Sequence, residues 1–402
     1  MATRPRVLIV SFIGVAGGSH NLWRHFVTDP AIQRPDGSLV AATEAMELHF
    51  LAPRAYRDVD PAPFAAGKVA FHSLTELAPP AIAERFLRRV TGRPIPYETR
   101  WRARLESIRP DVILFNLAGM GEMNWCVPAG AAAAALGIPY WLILQHAQED
   151  FHFADDDRTD AALALVKGAA RVLAVAERNH RALERSLGAA LPNVVRGVNG
   201  ITASVAEAGA RVMKESPVHV KGSARLLCLA RFDPAYKGQD ILLEALAAPE
   251  WRARDWVLTL QGGGSHERLL RRLVAQHGFD ERKVVLRPHA SDVSATFAAS
   301  DLLVFASRSE GSPFALVEGM AHGRPAVVTP VGGNDELAIE GKTGWVAAAV
   351  TAEALRNALS RAWVARGAWP VAGHAAREHV MARWQLCPAH AQLLAWVGAD
   401  AK

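Results

Sequence analysis

Short apolar, β-branched runs alternate with longer amphipathic stretches along nearly the whole chain, and this alternation restricts the fold more than any other feature. Strands separated by helices pair in parallel, because a crossover of a dozen or more residues must return the chain to the same end of the sheet. Residues 7–12, 111–116, 140–145 and 171–175 read as buried strands of one sheet. Residues 226–230, 256–261, 284–286, 301–306 and 325–329 read as strands of a second. A chain of 402 residues exceeds what one hydrophobic core ordinarily fills. The two strand sets therefore predict two α/β domains of similar size, residues 1–200 and 223–375. Residues 201–222, with Gly209, Pro217 and Gly222, lack a clear period and read as an interdomain linker. Residues 376–402 read as a helical tail, with Val380, Trp384, Leu393, Leu394 and Trp396 as buried positions and Pro388 as a break.

Composition narrows the class. Apolar residues make up 50% of the chain, which argues against long disorder, and a net charge of +5 favours anionic ligands without demanding nucleic acid. Cys126, Cys228 and Cys387 are odd in number and far apart, so neither a disulfide framework nor a cysteine-based zinc site is expected. No uncharged apolar stretch reaches the ~18 residues that span a bilayer, and residues 7–12 are too few for the apolar core of a signal peptide. A cytoplasmic protein is expected, with peripheral membrane contact as a further option. That option rests on residues 85–109, where Arg88, Arg89, Arg93, Arg100, Arg102 and Arg104 are interleaved with Phe86, Tyr97 and Trp101. Basic and aromatic residues suit an anionic membrane surface, but they equally suit a solvated helix face.

The chemistry is concentrated in residues 307–345. After the strand 301–306 come Glu310, Gly311, Ser312 and Pro313, then an apolar run containing Glu318 and closed by Gly323. Ser312 suits an N-cap, Pro313 the first helical position and Gly323 the exit, predicting a helix over 313–322. The free amides near Phe314 and Ala315 would make an anion site at a strand's carboxyl end. Glu310 before the helix and Glu318 in its second turn can accept hydrogen bonds from the hydroxyls of one ligand. Taken singly, each glutamate could equally be a solvated acid.

Glu310 and Glu318, separated by seven residues and followed by Gly323, Gly332, Gly333, Glu336, Gly341, Thr343 and Gly344, resemble the carboxyl-terminal domain of family 4 retaining glycosyltransferases. The resemblance implies the GT-B fold, two Rossmann-like parallel-sheet domains facing a cleft, with a C-terminal helix returning to the first domain. It implies that Glu310 contacts the transferred sugar, that the amides of Phe314 and Ala315 hold sugar and phosphates, and that Glu318 binds the ribose. A second match carries Arg231 and Lys237, which by resemblance grip the donor diphosphate. Arginine offers a planar fork and lysine a point charge, and together they can neutralise that leaving group. The glycine run 262–264 is alone a weak phosphate signal; the resemblance makes it a tight turn and places the nucleobase near His289.

The amino-terminal half follows the family loosely. Gly17 and Gly18 lie in a loop after the first strand, where glycines let backbone approach a ligand, and the resemblance turns this loop toward donor and acceptor. His146, after the strand 140–145, and His20 compete for a place beside the reacting sugar, and either could instead be structural. Asp155, Asp156 and Asp157 could hold a metal against a diphosphate, but acids before a helix also serve as caps. The latter reading is taken, so no metal and no cofactor are expected; the nucleotide sugar is a substrate. The expected activity is retaining transfer from a nucleoside-diphosphate sugar to a sugar, lipid-linked or small-molecule acceptor, with a sugar-nucleotide epimerase or hydrolase, or a non-catalytic nucleotide or glycan binder, as alternatives.

Overall fold

The computed structural model describes residues 4–12, 32–33, 39–40, 45–53, 69–74, 77, 97–154, 156–197, 199–290, 292–384 and 386–401. They divide into two compact units, Met1–Gly197 with Cys387–Lys402, and Val198–Leu386.

In the first unit seven strands form one parallel sheet: β1 (Arg6–Ser11), β4 (Glu47–Ala52), β5 (Val69–Ser73), β6 (Val112–Leu117), β7 (Tyr140–Leu144), β8 (Arg171–Ala174) and β9 (Val194–Arg196). Their order is β5-β4-β1-β6-β7-β8-β9, and a two-residue pair, β2 (Ile32–Gln33) and β3 (Leu39–Val40), stands apart. Helices α1 (Tyr97–Ile108), α2 (Met123–Ala135), α3 (Asp157–Gly168) and α4 (Glu177–Leu187) connect the later strands. The central strands are buried on both faces, β6 and β7 along their whole length, which explains why they read as continuous apolar runs. Strands β4, β5 and β9 escaped the sequence reading because their polar residues, His49 and His72 among them, interrupt the apolar pattern.

The second unit repeats the plan. Helix α5 (Ala203–Glu215) leads in, and six parallel strands follow: β10 (Ala224–Leu229), β11 (Trp256–Gln261), β12 (Val284–Arg287), β13 (Leu302–Phe305), β14 (Ala326–Val328) and β15 (Gly344–Val346). Their order is β12-β11-β10-β13-β14-β15. Between them run α6 (Pro234–Lys237), α7 (Gln239–Leu246) and α8 (Phe314–Ala321), and α9 (Ala352–Val364) and α10 (Trp369–Arg383) close the unit. Trp251, Trp256 and Trp369 are fully buried in its core. In both sheets the strand order reverses beside the first strand, at β1/β6 and β10/β13. Ligands of open α/β sheets bind beyond the carboxyl ends of the strands at such a point.

Two boundaries differ from expectation. The stretch read as a linker, 201–222, contains helix α5, capped by Thr202, whose Oγ1 accepts from the Val205 N–H at 3.3 Å. Its Gly209 is not a breaker: a Cβ there would lie 2.3 Å from the Ala321 carbonyl oxygen, so the glycine lets α5 pack against the end of α8. The tail is divided as well. Helix α10 buries Val380 in the second unit, whereas α11 (Leu386–Asp400) runs almost wholly in the first. Pro388 does not break α11, because it stands in the first turn, where its missing N–H has no intrahelical acceptor anyway.

Helix α11 is held by one polar cluster. Asp400 accepts from Arg171 at 2.9 and 3.0 Å and from the Trp141 indole N–H at 2.9 Å. The Arg171 guanidinium also lies over the Trp141 and Trp396 rings, 5.6 and 5.0 Å from their centroids. Asp400→Ala leaves a half-buried guanidinium without its carboxylate and should lower stability by about 2 kcal/mol, read as a shift of the urea midpoint followed by tryptophan fluorescence.

Candidate functional site

The switch point of the second sheet brings together the residues that carry the sequence motifs. Beyond β10 the chain turns through α6, with Pro234 at its first position, and leaves at Gly238 with φ 60°. A Cβ at Gly238 would lie 1.9 Å from the Ala306 carbonyl oxygen. Only glycine allows this turn to rest on the end of β13, and the contact delivers Lys237 to the loop that follows β13. There Lys237 Nζ meets Glu310 Oε1 at 2.7 Å, and the Ser307 hydroxyl donates to the same oxygen at 2.7 Å. Glu310 is 7% exposed. A carboxylate so buried is tolerable because it is paired and hydrogen-bonded.

The far side of the Glu310 turn is pinned by the loop after β14. Gly332 has φ 53°, and a Cβ on it would lie 2.2 Å from the Glu310 carbonyl oxygen. The Gly333 N–H donates to the Gly311 carbonyl at 2.6 Å, and the Thr329 hydroxyl to that of Ser307 at 2.5 Å. Gly311, Ser312 and Pro313 are buried in this turn.

Helix α8 begins one residue later than expected. Pro313, with φ −72° and ψ 120°, occupies the cap position and Phe314 the first helical one, and the Ser312 side chain makes no capping bond. The extended ψ of Pro313 excludes it from the helix. The amides of Phe314 and Ala315 precede the first i→i−4 bonds and so have no acceptor within the helix. The exit at Gly323, φ 72°, is as expected. Glu318 lies in the second turn, and burial pushes its carboxyl up to about 7. Next to it the His322 ring meets the Glu318 carbonyl through Nδ1 at 2.7 Å and Ser294 through Nε2 at 3.1 Å. Burial also pushes the Cys228 thiol up, to about 12, with Lys237 and Glu310 close enough to act on it.

Arg231 is largely exposed and pairs with Asp233 at 2.7 Å. An unforeseen pair fixes the adjoining loop: Arg308 holds both oxygens of Asp240 at 2.7 and 2.8 Å and donates to the Pro234 carbonyl at 2.7 Å. Burial alone would raise the Asp240 carboxyl, but Arg308 overcomes it and holds the group below the usual range. The glycine run packs on the loop after β10, since a Cβ at Gly262 would lie 2.0 Å from the Ala230 carbonyl oxygen. Arg287, Pro288 and His289 are exposed beyond β12, where the Gln261 side-chain amide donates to the Pro288 carbonyl.

In the first unit His146 is half-buried beyond β7. The neighbouring Gln145 donates to Asn116 at 3.3 Å, and Asn179 at the start of α4 donates to the Ala147 carbonyl at 3.2 Å. Gly17, Gly18 and His20 lie outside the described residues, as do Asp155, Phe86, Arg88, Arg89 and Arg93. Asp156 caps α3, accepting from the Arg158 N–H at 2.9 Å. Trp101 faces the core rather than the surface, while Tyr97 is exposed with Arg100 over its ring and Arg102 pairs with Glu106 at 3.2 Å.

Residues 223–363 match the family described as glycosyl transferases group 1. The GDP-mannose-dependent alpha-(1-6)-phosphatidylinositol monomannoside mannosyltransferase of Mycolicibacterium smegmatis is 30% identical over 168 residues, 40% of this chain and 44% of that protein. The D-inositol 3-phosphate glycosyltransferase of Pseudarthrobacter chlorophenolicus is 35% identical over 128 residues, 31% of this chain and 30% of that one. The chain thus spans less than half the length of these curated relatives. Among solved structures, HepE of Anabaena in complex with UDP superposes with a TM-score of 0.73 at 17% identity, over 98% of this chain and 100% of that one. Sucrose-phosphate synthase of Thermosynechococcus elongatus superposes with a TM-score of 0.70 at 18% identity, over 98% and 100%.

Two parallel, Rossmann-like sheets in one chain, with these neighbours, define the GT-B fold. The match to glycosyl transferases group 1 falls within the second unit and spans both Glu310 and Glu318, the residues around which the resemblance was seen.

The raised Glu318 carboxyl makes stability depend on pH with a definite sign. At low pH the group is neutral in the folded and unfolded chains alike. Between its ordinary 4.5 and about 7 the unfolded chain ionises first, so stability falls as pH rises through that window. Glu318→Gln removes this component, and its advantage over wild type in urea midpoint should be larger at about pH 8 than at about pH 4; an equal difference at both would mean that Glu318 titrates normally.

Proposed function

We propose that the protein is a glycosyltransferase that takes a sugar from a nucleoside-diphosphate sugar and passes it, with retained anomeric configuration and without a metal, to an acceptor hydroxyl in glycan, polysaccharide or glycolipid biosynthesis. The observation that carries this reading is the Lys237–Glu310 contact of 2.7 Å at the switch point of the second sheet, where α8 begins. The relatives' names support the class of reaction, and HepE has been crystallised with UDP, with UDP and glucose, and with UDP-glucose.

In this reading Lys237, Arg231 and the Phe314 and Ala315 amides take the diphosphate, Glu310 the hydroxyls of the sugar, Glu318 the ribose, and the backbone near His289 the base. Lys237 and Arg231 each hold a carboxylate, Glu310 and Asp233. A diphosphate carries more charge than either acid and can draw both cations toward itself. As the anomeric C–O bond breaks, negative charge grows on the leaving phosphate, and fixed cations and amides stabilise it most at that moment. The acceptor hydroxyl attacks on the face that the diphosphate leaves, and the departing phosphate takes its proton. No protein nucleophile is needed. Acceptor binding is assigned to the first unit, to His146 or His20, with Gly17 and Gly18 turned toward the donor. A lipid-linked acceptor would bring Arg102, exposed on α1, to an anionic membrane surface with the half-buried Arg100 and Arg104 beside it in sequence. Among the described residues no helix is long and apolar enough to cross a membrane.

Lys237→Ala should lower turnover by a factor on the order of 10², measured as release of nucleoside diphosphate with a matched donor and acceptor. Near-normal turnover would remove Lys237 from the site. EDTA should leave the rate of the wild type unchanged, whereas loss restored by magnesium would show that an ion shares the diphosphate. Donor consumed at the full rate without acceptor would favour an epimerase or hydrolase.

A further inference from the structure

The Glu310 turn has a further contact, with the segment that leads into α5. Asn199 donates through Nδ2 to the Ser312 carbonyl at 3.2 Å. The segment carrying it is anchored two residues on, where the Ile201 N–H bonds the Trp384 carbonyl at 2.7 Å. Asn199 is 4% exposed and Ser312 3%. Asn199 Oδ1 and Ser312 Oγ are both buried without a hydrogen-bond partner. A buried polar atom left unpaired is costly, and two on residues in direct contact, immediately before α8, call for an explanation that fold stability does not supply.

The chemistry of the turn supplies one. The Asn199 carbonyl and the Glu310 carboxylate only accept hydrogen bonds, and the Ser312 hydroxyl can accept as well as donate. A turn rich in acceptors, its one carboxylate already matched by Lys237, suits a ligand rich in O–H donors better than one that brings a further carboxylate. We propose that Asn199 is a positioning residue for the transferred sugar, holding the Ser312 carbonyl so that the turn from Glu310 to Phe314 meets sugar hydroxyls, and that this sugar is uncharged. The proposal rests on the nucleotide-sugar reading of the site. It adds a residue outside the sequence motifs and a substrate class that those motifs leave open.

Calorimetric titration of the full chain tests it. UDP, UDP-glucose, GDP and GDP-mannose are titrated first, and the nucleotide that binds is then compared with its neutral-hexose and hexuronate conjugates. In the wild type the neutral conjugate should bind at least about tenfold tighter than the hexuronate. In Asn199→Ala the ratio of affinities for the sugar conjugate and the free diphosphate should fall about tenfold, the effect of one buried hydrogen bond. Asn199→Asp keeps the shape but not the N–H donor, and should lose as much. Equal losses for conjugate and free diphosphate would reduce Asn199 to a structural role and overturn the proposal, as would equal binding of the hexuronate. Should Asn199 variants fail to fold, the wild type decides: tighter binding of the neutral-hexose conjugate than of the hexuronate supports the proposal, and equal binding overturns it. Failure of the wild type to bind any nucleoside diphosphate would instead sink the donor-site reading beneath it.

Discussion

The backbone contact between Gly238 and Ala306 is the constraint on which the second unit's site depends. Two loops that leave neighbouring strands, β10 and β13, must come close enough for a lysine on one to reach a glutamate on the other. Side-chain reach alone would allow many arrangements. A left-handed glycine that admits a carbonyl where a Cβ would stand allows few. Gly332 does the same on the other flank of the Glu310 turn. A loop that would otherwise sample many conformations is held by backbone contacts that require no side chain to be ordered, so the chemical groups are placed before any ligand arrives.

How much of this was legible in the sequence depended on whether the information was local. The strands β6, β7 and β13 were readable because they are buried on both faces and are almost wholly apolar. The site glutamates were readable because a long motif surrounds them. What escaped was set by partners distant in sequence. Gly209 looked like a breaker because nothing nearby says that the end of α8 lies against it. Ser312 looked like an N-cap, a sound local inference, until the extended ψ of Pro313 placed the helix start beyond it. Arg308 and Asp240 are far apart in the chain and gave no signal, although they shape the same loop as Lys237. Asn199 was passed over because it stands at the very end of the segment read as the first domain, with nothing local to tie it to Ser312.

The first unit illustrates the opposite balance. Its sheet has the same reversal of strand order beside β1, and the ends of β6 and β7 are joined by Gln145 and Asn116. Of the acidic triplet, Asp156 caps α3 and pairs with Arg158.

The placement of α11 carries a consequence for biosynthesis. Residues 387–402 belong to the first unit although the ribosome makes them after every residue of the second. Trp141 and Arg171 therefore emerge early and remain without Asp400 and Trp396 until the whole of the second unit has been translated. The second unit is contiguous and can complete its core during synthesis, whereas the first acquires its last helix only at the end. Order of synthesis and order of completion are thus inverted between the two units, and a nascent chain stalled after Arg171 and before residue 387 would display an aromatic and cationic surface that α11 later covers.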